Sequence, residues 1–276
     1  MSAELRPIPG PGALGGGRRR FFELLALMAG YEFKRTYYGT VLGYLWSLLR
    51  PFILFGILLL VFTRIFRVGA GIENYEVMLL LNVVLFGFFQ EATTNATPAM
   101  VRQERIVRKT QFPRLVIPLA HVVTGLMNLG MNMIAVVVFA LAFGVEPGWG
   151  WLPFLLLVAL LALITAAAAS FLCAAYVRHR DTLIIWSVLA MALFYGSAVL
   201  YPIEIVEAGL ADILLVNPLT LIFVQAREWF VDPGAPGIFD VAEAWQVASA
   251  GAIVVALCAA AAVVFSREAR RAAEDL

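Results

Sequence analysis

Residues 152–176 read LPFLLLVALLALITAAAASFLCAAY, a stretch of 25 residues without one charged side chain. An α-helix rises about 1.5 Å per residue, so this stretch is long enough to cross the roughly 30 Å of hydrocarbon in a bilayer. It therefore predicts a transmembrane helix, and it indicates that the folded chain is solvated by lipid.

Five more apolar runs of similar length occur in the 276-residue chain, at about 44–63, 76–97, 115–143, 183–201 and 246–265. The chain is 62% hydrophobic and 14% charged, whereas soluble domains carry about 25% charged residues. Unbroken runs of this length exclude a β-barrel, because barrel strands alternate between lipid-facing and interior side chains. The predicted fold is an all-α integral membrane protein with six transmembrane helices within residues 39–266.

The basic residues predict the orientation. With the amino terminus in the cytoplasm, 16 of the 20 Lys and Arg residues lie on the cytoplasmic side and only Arg64, Arg67 and Arg227 lie outside. The opposite orientation would violate the positive-inside rule. We therefore expect both termini in the cytoplasm, including a Pro/Gly-rich flexible tail at 1–17 and a short tail at 267–276.

Two segments are apolar without being long enough to span. Residues 18–38, RRRFFELLALMAGYEFKRTYY, predict an amphipathic helix in the cytoplasmic interface; a surface helix packed on protein is the alternative. Residues 200–230 carry short apolar pieces broken by Pro202, Gly209 and Pro218, which favour re-entrant or interfacial helices on the outer face.

The sequence contains no motif for catalysis. It lacks the G-x-x-x-x-G-K-[ST] phosphate loop, H-E-x-x-H and G-x-S-x-G, and its two histidines lack metal-ligand spacing. We expect no catalytic residue, no metal site and no nucleic-acid partner. The ionisable groups within the spans are Arg50 and Glu91, too few for a proton- or sodium-driven carrier.

The two short cytoplasmic loops combine charge with apolar anchors. One is VRQERIVRKTQFPRLV at 101–116 and the other is YVRHRDTL at 176–183. Topology alone explains the arginines but does not explain the apolar side chains of Ile106, Val107 and Phe112. These loops therefore favour docking to another protein, with plain topology charges as the alternative.

Five blocks occur in a familiar order: YYGTVLGYLWSLLRPF (37–52), RIVRKTQFPRLVIPL (105–119), YVRHRDTLIIW (176–186), SAVLYPIE (197–204) and NPLT (217–220). Over about residues 20–265 the chain resembles the permease of type-2 ABC exporters that move O-antigen, teichoic acid, capsule or galactan. The resemblance implies a homodimer in a bacterial inner membrane, paired with two copies of a separate ATPase subunit that binds ATP and Mg. The residues implied in ATPase coupling are Arg102, Arg105, Ile106, Val107, Arg108, Lys109, Phe112, Pro113, Arg114, Arg178, Arg180 and Asp181.

The same resemblance implies a substrate that is a glycan on a polyprenyl pyrophosphate. Cations near the cytoplasmic interface suit its phosphates: Arg18, Arg19, Arg20, Lys34, Arg35 and Arg50. Topology also requires most of these charges, and Arg50 can instead extend to the interface or line a polar cavity. Aromatic side chains that could line a sugar path are Tyr44, Trp46, Phe88, Phe89, Tyr195 and Tyr201; packing or an interfacial belt is the alternative for each.

The predicted function is therefore export of a lipid-linked polysaccharide, driven by a separate ATPase. A type-2 ABC permease for a small lipophilic drug or lipid is the first alternative. A membrane-embedded enzyme or assembly factor of glycan synthesis is the second.

Charge reversal at both Arg105 and Arg108 tests the predicted coupling segment. We expect the double variant to hydrolyse ATP without transport, because reversed charges disturb docking at the rim of the segment while leaving the spans intact. Export and ATP hydrolysis measured side by side check this, and normal export in the double variant would contradict the coupling role.

Overall fold

The computed structural model describes residues 17–37, 43, 45–66, 72–104 and 113–271. These residues form α-helices, short π or 3₁₀ turns and loops, and no β-strand occurs among them. The α-helices are α1 (Gly17–Tyr37), α2 (Leu45–Leu60), α3 (Tyr75–Ala96), α4 (Ala99–Arg102), α5 (Val116–Ala142), α6 (Trp151–Arg178), α7 (Thr182–Tyr195), α8 (Ala208–Leu215), α9 (Pro218–Ala226), α10 (Ile238–Val241) and α11 (Ala244–Arg271).

Five of the six predicted spans are confirmed as helices that are long and apolar enough to cross a membrane. They are Leu45–Ile65, Tyr75–Ala96, Val116–Ala142, Trp151–Arg178 and Ala244–Arg267. The first of them includes a π-helical turn at Val61–Ile65 and contains Pro51, which supplies no backbone N–H to its helix. The fold is thus the all-α membrane architecture that the apolar runs predict.

The prediction of a span at 183–201 is wrong in its length. Helix α7 has 14 residues and rises only about 21 Å, less than the roughly 30 Å of hydrocarbon. The chain leaves helical geometry at Gly196, and Ala198 has a φ of 52°. Residues 196–201 are apolar enough to extend the run in sequence, but their backbone does not continue the helix.

The segment predicted as re-entrant contains a sharp bend. Helix α8 and the Pro218–Val231 segment meet at 101° across a short break. Asn217 caps α9, because its side chain accepts a hydrogen bond from the N–H of Leu219 at 3.0 Å, and Pro218 follows at the first helical position. This pair is either a broken span or a re-entrant loop, so its depth in the membrane stays a prediction.

Helix α3 is the centre of the bundle. Sixteen of its 22 residues are buried, against Phe55 alone in α2. It packs most extensively on α5 and also contacts α6. The aromatic side chains of Phe86, Phe89 and Trp186 meet in its core at ring-centroid distances of 5.8–5.9 Å. Helices α2, α5, α6 and α7 thus pack against α3, while half of the residues of α2 and more than half of those of α7 are exposed.

Helix α1 has one face packed on protein and one exposed apolar face, so it has features of both a packed surface helix and an interfacial helix. One face packs along α5 and buries Ala29 and Glu32. The other face exposes Phe22, Leu27 and Tyr31, which are 62–71% accessible. An apolar face left open beside a membrane bundle suits the lipid interface.

The start of α6 is joined to the turn after α9 by close packing. The ring of Trp151 stacks on Phe230 at 4.7 Å, and its indole N–H donates to the carbonyl of Phe230 at 3.1 Å. Gly150 lies directly before α6, and a Cβ there would collide with the backbone carbonyl of Trp229.

Gly150→Ala tests this close approach. We expect it to lower the free energy of unfolding by about 1–3 kcal/mol, because the added methyl group must push two elements apart. Thermal unfolding of the purified protein in detergent, followed by tryptophan fluorescence, measures the effect. Gly148→Ala is the matched control, since no atom lies within 4 Å of a Cβ at that position. Equal melting temperatures for the two variants would contradict the packing argument.

Candidate functional site

A polar cluster joins α1 to the end of α4 and the start of α5. The Nε2 of Gln103 donates to Oε1 of Glu32 at 3.1 Å, and the guanidinium of Arg35 lies 3.7 Å from the same oxygen. The charges of Glu32, Arg102 and Arg35 all act on the imidazole of His121. The cluster therefore combines one buried carboxylate with several cations where the chain passes from α4 toward α5.

Two further contacts fix α1 beside this cluster. The hydroxyl of Thr124 in α5 donates to the carbonyl oxygen of Ala29 at 3.1 Å. Met28 packs on a small apolar core that contains Met100 and Ile117. This face of α1 is therefore held on the bundle by a polar contact at Ala29 and an apolar contact at Met28.

The structure covers part of the predicted ATPase-coupling segment. Arg102, Pro113 and Arg114 are described, and Arg102 is exposed at the end of α4. Six predicted coupling residues lie outside the described residues: Arg105, Ile106, Val107, Arg108, Lys109 and Phe112. Their role stays a prediction.

The second predicted docking loop lies between α6 and α7. Arg178, Arg180 and Asp181 are all exposed there. The guanidinium of Arg180 lies 5.2 Å from the ring centroid of Tyr176, a distance suited to a cation–π contact. The loop thus presents charged side chains at the same end of the bundle as the cluster around Glu32, since α6 ends where α4 and α5 meet.

The cations proposed to meet a lipid phosphate are mostly exposed. Arg19 pairs with Glu23 at 2.8 Å on the surface of α1, and Lys34 and Arg35 are exposed near its carboxyl end. Arg20 is half-buried, and the side chain of Arg18 lies outside the described residues. The described cations of this set on α1 therefore lie near the two ends of the helix.

A second polar group lies inside the bundle between α2, α3 and α5. The amide Nδ2 of Asn128 donates to Oε1 of Glu91 at 3.0 Å, and the positive charge of Arg50 acts on the same carboxylate. The Nδ2 of Asn132 donates one turn away, to the carbonyl of Asn128. Arg50 is exposed on α2. Its electrostatic interaction with Glu91 therefore connects the exposed face of α2 with the polar interior of the bundle.

The predicted aromatic residues fall into two groups. Phe88 and Phe89 are 4% and 3% accessible and belong to the core around α3, so they pack inside the bundle. Trp46 and Tyr195 are exposed, and Tyr201 is half-buried. Tyr44 lies outside the described residues. Among the five of these aromatics that the structure describes, Trp46 and Tyr195 are the exposed ones.

Sequence reasoning missed the pairing of Glu32 with Gln103. The available signal was an acidic residue within an amphipathic helix, facing the same side as Ala29. Among the residues that the structure describes, no three His, Cys, Asp or Glu side chains are grouped as metal ligands.

The described bundle of apolar helices, with charged groups near the helix ends, defines a multi-pass membrane protein. The chain belongs to the ABC-2 type transporter family, whose family model matches residues 23–231. It is therefore a transporter subunit, and the family expected from the sequence blocks is confirmed.

The chain is similar to two proteins that are both named O-antigen export system permease protein RfbA. The protein from Klebsiella pneumoniae is 28% identical over 212 residues, covering 76% of this chain and 81% of its own length. The protein from Myxococcus xanthus is 26% identical over 255 residues, covering 92% of this chain and 95% of its own length.

Asn128→Leu tests the interior polar group. We expect it to lower the free energy of unfolding by about 1–3 kcal/mol, because the carboxylate of Glu91 then loses a hydrogen-bond donor inside the bundle. Thermal unfolding in lipid nanodiscs measures the change. Met127→Leu, at a 40% exposed neighbour, is the control and should melt like the wild type. An unchanged melting temperature for Asn128→Leu would show that Glu91 does not depend on this bond.

Proposed function

We propose that this chain is the permease subunit of an ATP-driven exporter that moves a lipid-linked polysaccharide from the cytoplasmic to the outer side of a bacterial inner membrane. The observation that carries the proposal is its likeness to permeases named for O-antigen export, over 76–92% of its length. Both termini lie in the cytoplasm in this proposal, as the distribution of basic residues favours.

The energy comes from a separate ATPase in this proposal. The sequence contains no phosphate loop of the G-x-x-x-x-G-K-[ST] kind, and membership of the ABC-2 family implies an ATPase partner. Two copies of that subunit dock on residues 101–113 and 176–182. ATP and Mg are held by the partner, and this chain holds no cofactor.

A second copy of the chain completes the passage. Helix α2 exposes Ile53, Ile57 and Leu60, and α7 exposes Ile184, Val188 and Met191, with 53–67% accessibility throughout. Apolar faces of this size need lipid or protein as a neighbour. We assign them to a homodimer whose two copies border the route for the polymer, with the remaining surface facing lipid.

The lipid carrier meets the permease beside α1. The exposed apolar face of α1 lies in the interface, and the cations at its two ends suit a pyrophosphate. Arg50 lies near the amino end of α2 and is exposed. A guanidinium there can bind a phosphate oxygen at the edge of the membrane interior.

The mechanism is a two-state gate biased by ATP. Closure of the two ATPase subunits pushes on residues 101–113, and the permease bundles shift as rigid bodies to open a passage between them. The polymer then moves outward along exposed aromatic residues. Such a gate requires contacts that differ between the two states, since ATP can bias only what it binds differently.

Two rival functions would require different sets of residues. A permease for small lipophilic drugs or lipids would share the helices but would not need cations around α1 or an aromatic route. A membrane-embedded enzyme or assembly factor of glycan synthesis would need clustered acidic or histidine residues at one interface, and the described residues contain no such cluster of metal-ligand type.

Depletion of the protein in its native host tests the function. We expect full-length polyprenyl-linked glycan to accumulate on the cytoplasmic side of the membrane, because synthesis continues while export stops. Mass spectrometry of extracted membrane lipids measures the accumulation and identifies the sugars. Re-expression of the wild-type chain should remove the accumulated material.

The alternative outcomes separate the rivals. Unchanged lipid-linked glycan, with the ATPase still co-purifying, would refute the polysaccharide assignment and favour a drug or lipid as substrate. Accumulation of a truncated glycan would instead indicate a role in synthesis.

A further inference from the structure

The carboxylate of Glu32 is buried in a helix whose neighbouring side chains are exposed. Glu32 is 9% accessible, while Tyr31, Lys34 and Arg35 around it are exposed. Burial of a charged group is unfavourable unless the charge is paired, and an apolar side chain of similar volume would hold α1 on the bundle at least as well. The position therefore calls for an explanation other than attachment of the helix.

The hydrogen-bond partner of Glu32 lies within the predicted coupling segment. Gln103, which donates to the carboxylate at 3.1 Å, directly follows α4, whose last residue is Arg102. The predicted coupling segment surrounds this position. Gln103 is therefore the residue through which the amino-terminal side of that segment contacts α1.

The side chains around the pair hold both partners in place. Ala99 and Met100 of α4 are 1% accessible and pack in the small core to which Met28 of α1 contributes. Arg35 approaches the carboxylate from α1 itself, at 3.7 Å. Thr124 binds the α1 backbone at Ala29, one turn before Glu32. Gln103 can therefore move little without moving Glu32.

We propose that the Glu32–Gln103 hydrogen bond transmits the displacement of the coupling segment to α1, so that the interface helix moves with each ATP cycle. Glu32 acts here as a positioning residue: it holds α1 in register with the end of α4 and does not contact ATP. This inference rests on the proposed function, because it takes the segment after α4 as the docking site of the ATPase.

A double-mutant cycle tests the contact in the full complex with its ATPase. The variants are Glu32→Ala, Gln103→Ala and both together, expressed in the native host in place of the wild-type chain. The measured quantity is glycan exported per ATP hydrolysed. We expect each single variant to lower this ratio about tenfold, as loss of a hydrogen bond to a charged group implies. The double variant should be no worse than either single variant, because both remove one contact.

Two further variants separate transmission from structure. Glu32→Gln keeps an acceptor for the Gln103 amide and should stay within about twofold of the wild type. Glu23→Ala removes the exposed partner of Arg19 on the same helix and should leave the ratio unchanged. The amount of complex recovered by size-exclusion chromatography shows whether Glu32→Ala has folded; Gln103→Ala, at a half-buried site, tests the same contact from the other side.

The opposite results would overturn the inference. A wild-type ratio in both single variants, or a double variant that falls by the product of the two single effects, would show that the contact transmits nothing. A wild-type complex that exports no glycan would instead refute the proposed function. The two failures are therefore distinguishable.

Discussion

The absence of water from the hydrocarbon core is the constraint on which this structure depends. Backbone groups there must pair within their own helix, and side-chain hydroxyls follow the same rule. Thr93, Thr97 and Thr165 each donate to the carbonyl oxygen four residues earlier, at 2.7 Å. Polar atoms are thereby satisfied without leaving their helix, and the outer faces of the helices remain apolar.

The same constraint places ionisable side chains where they can be paired or solvated. Within the spans, Glu91 is bound by Asn128 and faces the charge of Arg50. At the end of the bundle where α4 ends, Glu32 is bound by Gln103. Each carboxylate contacts residues of neighbouring elements. Each one therefore helps to set the register of those helices, which apolar packing alone does not specify.

Composition predicts much of this fold, because hydropathy and helix length depend on local sequence. Five spans, the helix at α1 and the break at Asn217-Pro218 are all readable from the chain. The end of α7 is not, since residues 196–201 are apolar and only the backbone angles at Gly196 and Ala198 end the helix.

The candidate site was less predictable than the fold. The pairing of Glu32 with Gln103 joins residues 71 positions apart, and it requires α1 to fold back on α5. No local pattern encodes that approach. For Phe88 and Phe89 the sequence left packing and path lining both open, because periodicity places aromatics on a helix face without showing which neighbour covers it.

The early end of α7 has a consequence for membrane thickness. Its freed backbone carbonyls accept hydrogen bonds from protein groups: the hydroxyl of Tyr201 donates to the carbonyl of Tyr195 at 2.8 Å, and the side-chain amide of Asn217 donates to the carbonyl of Gly196 at 3.4 Å. Irregular backbone that is satisfied in this way can lie below the membrane surface. On the side lined by α7, helical wall covers only about 21 Å of the roughly 30 Å of hydrocarbon. A hydrophilic chain passing there would need shelter over the height of α7, about two thirds of the bilayer, and over the last third it would pass irregular backbone whose carbonyls already hold hydrogen bonds.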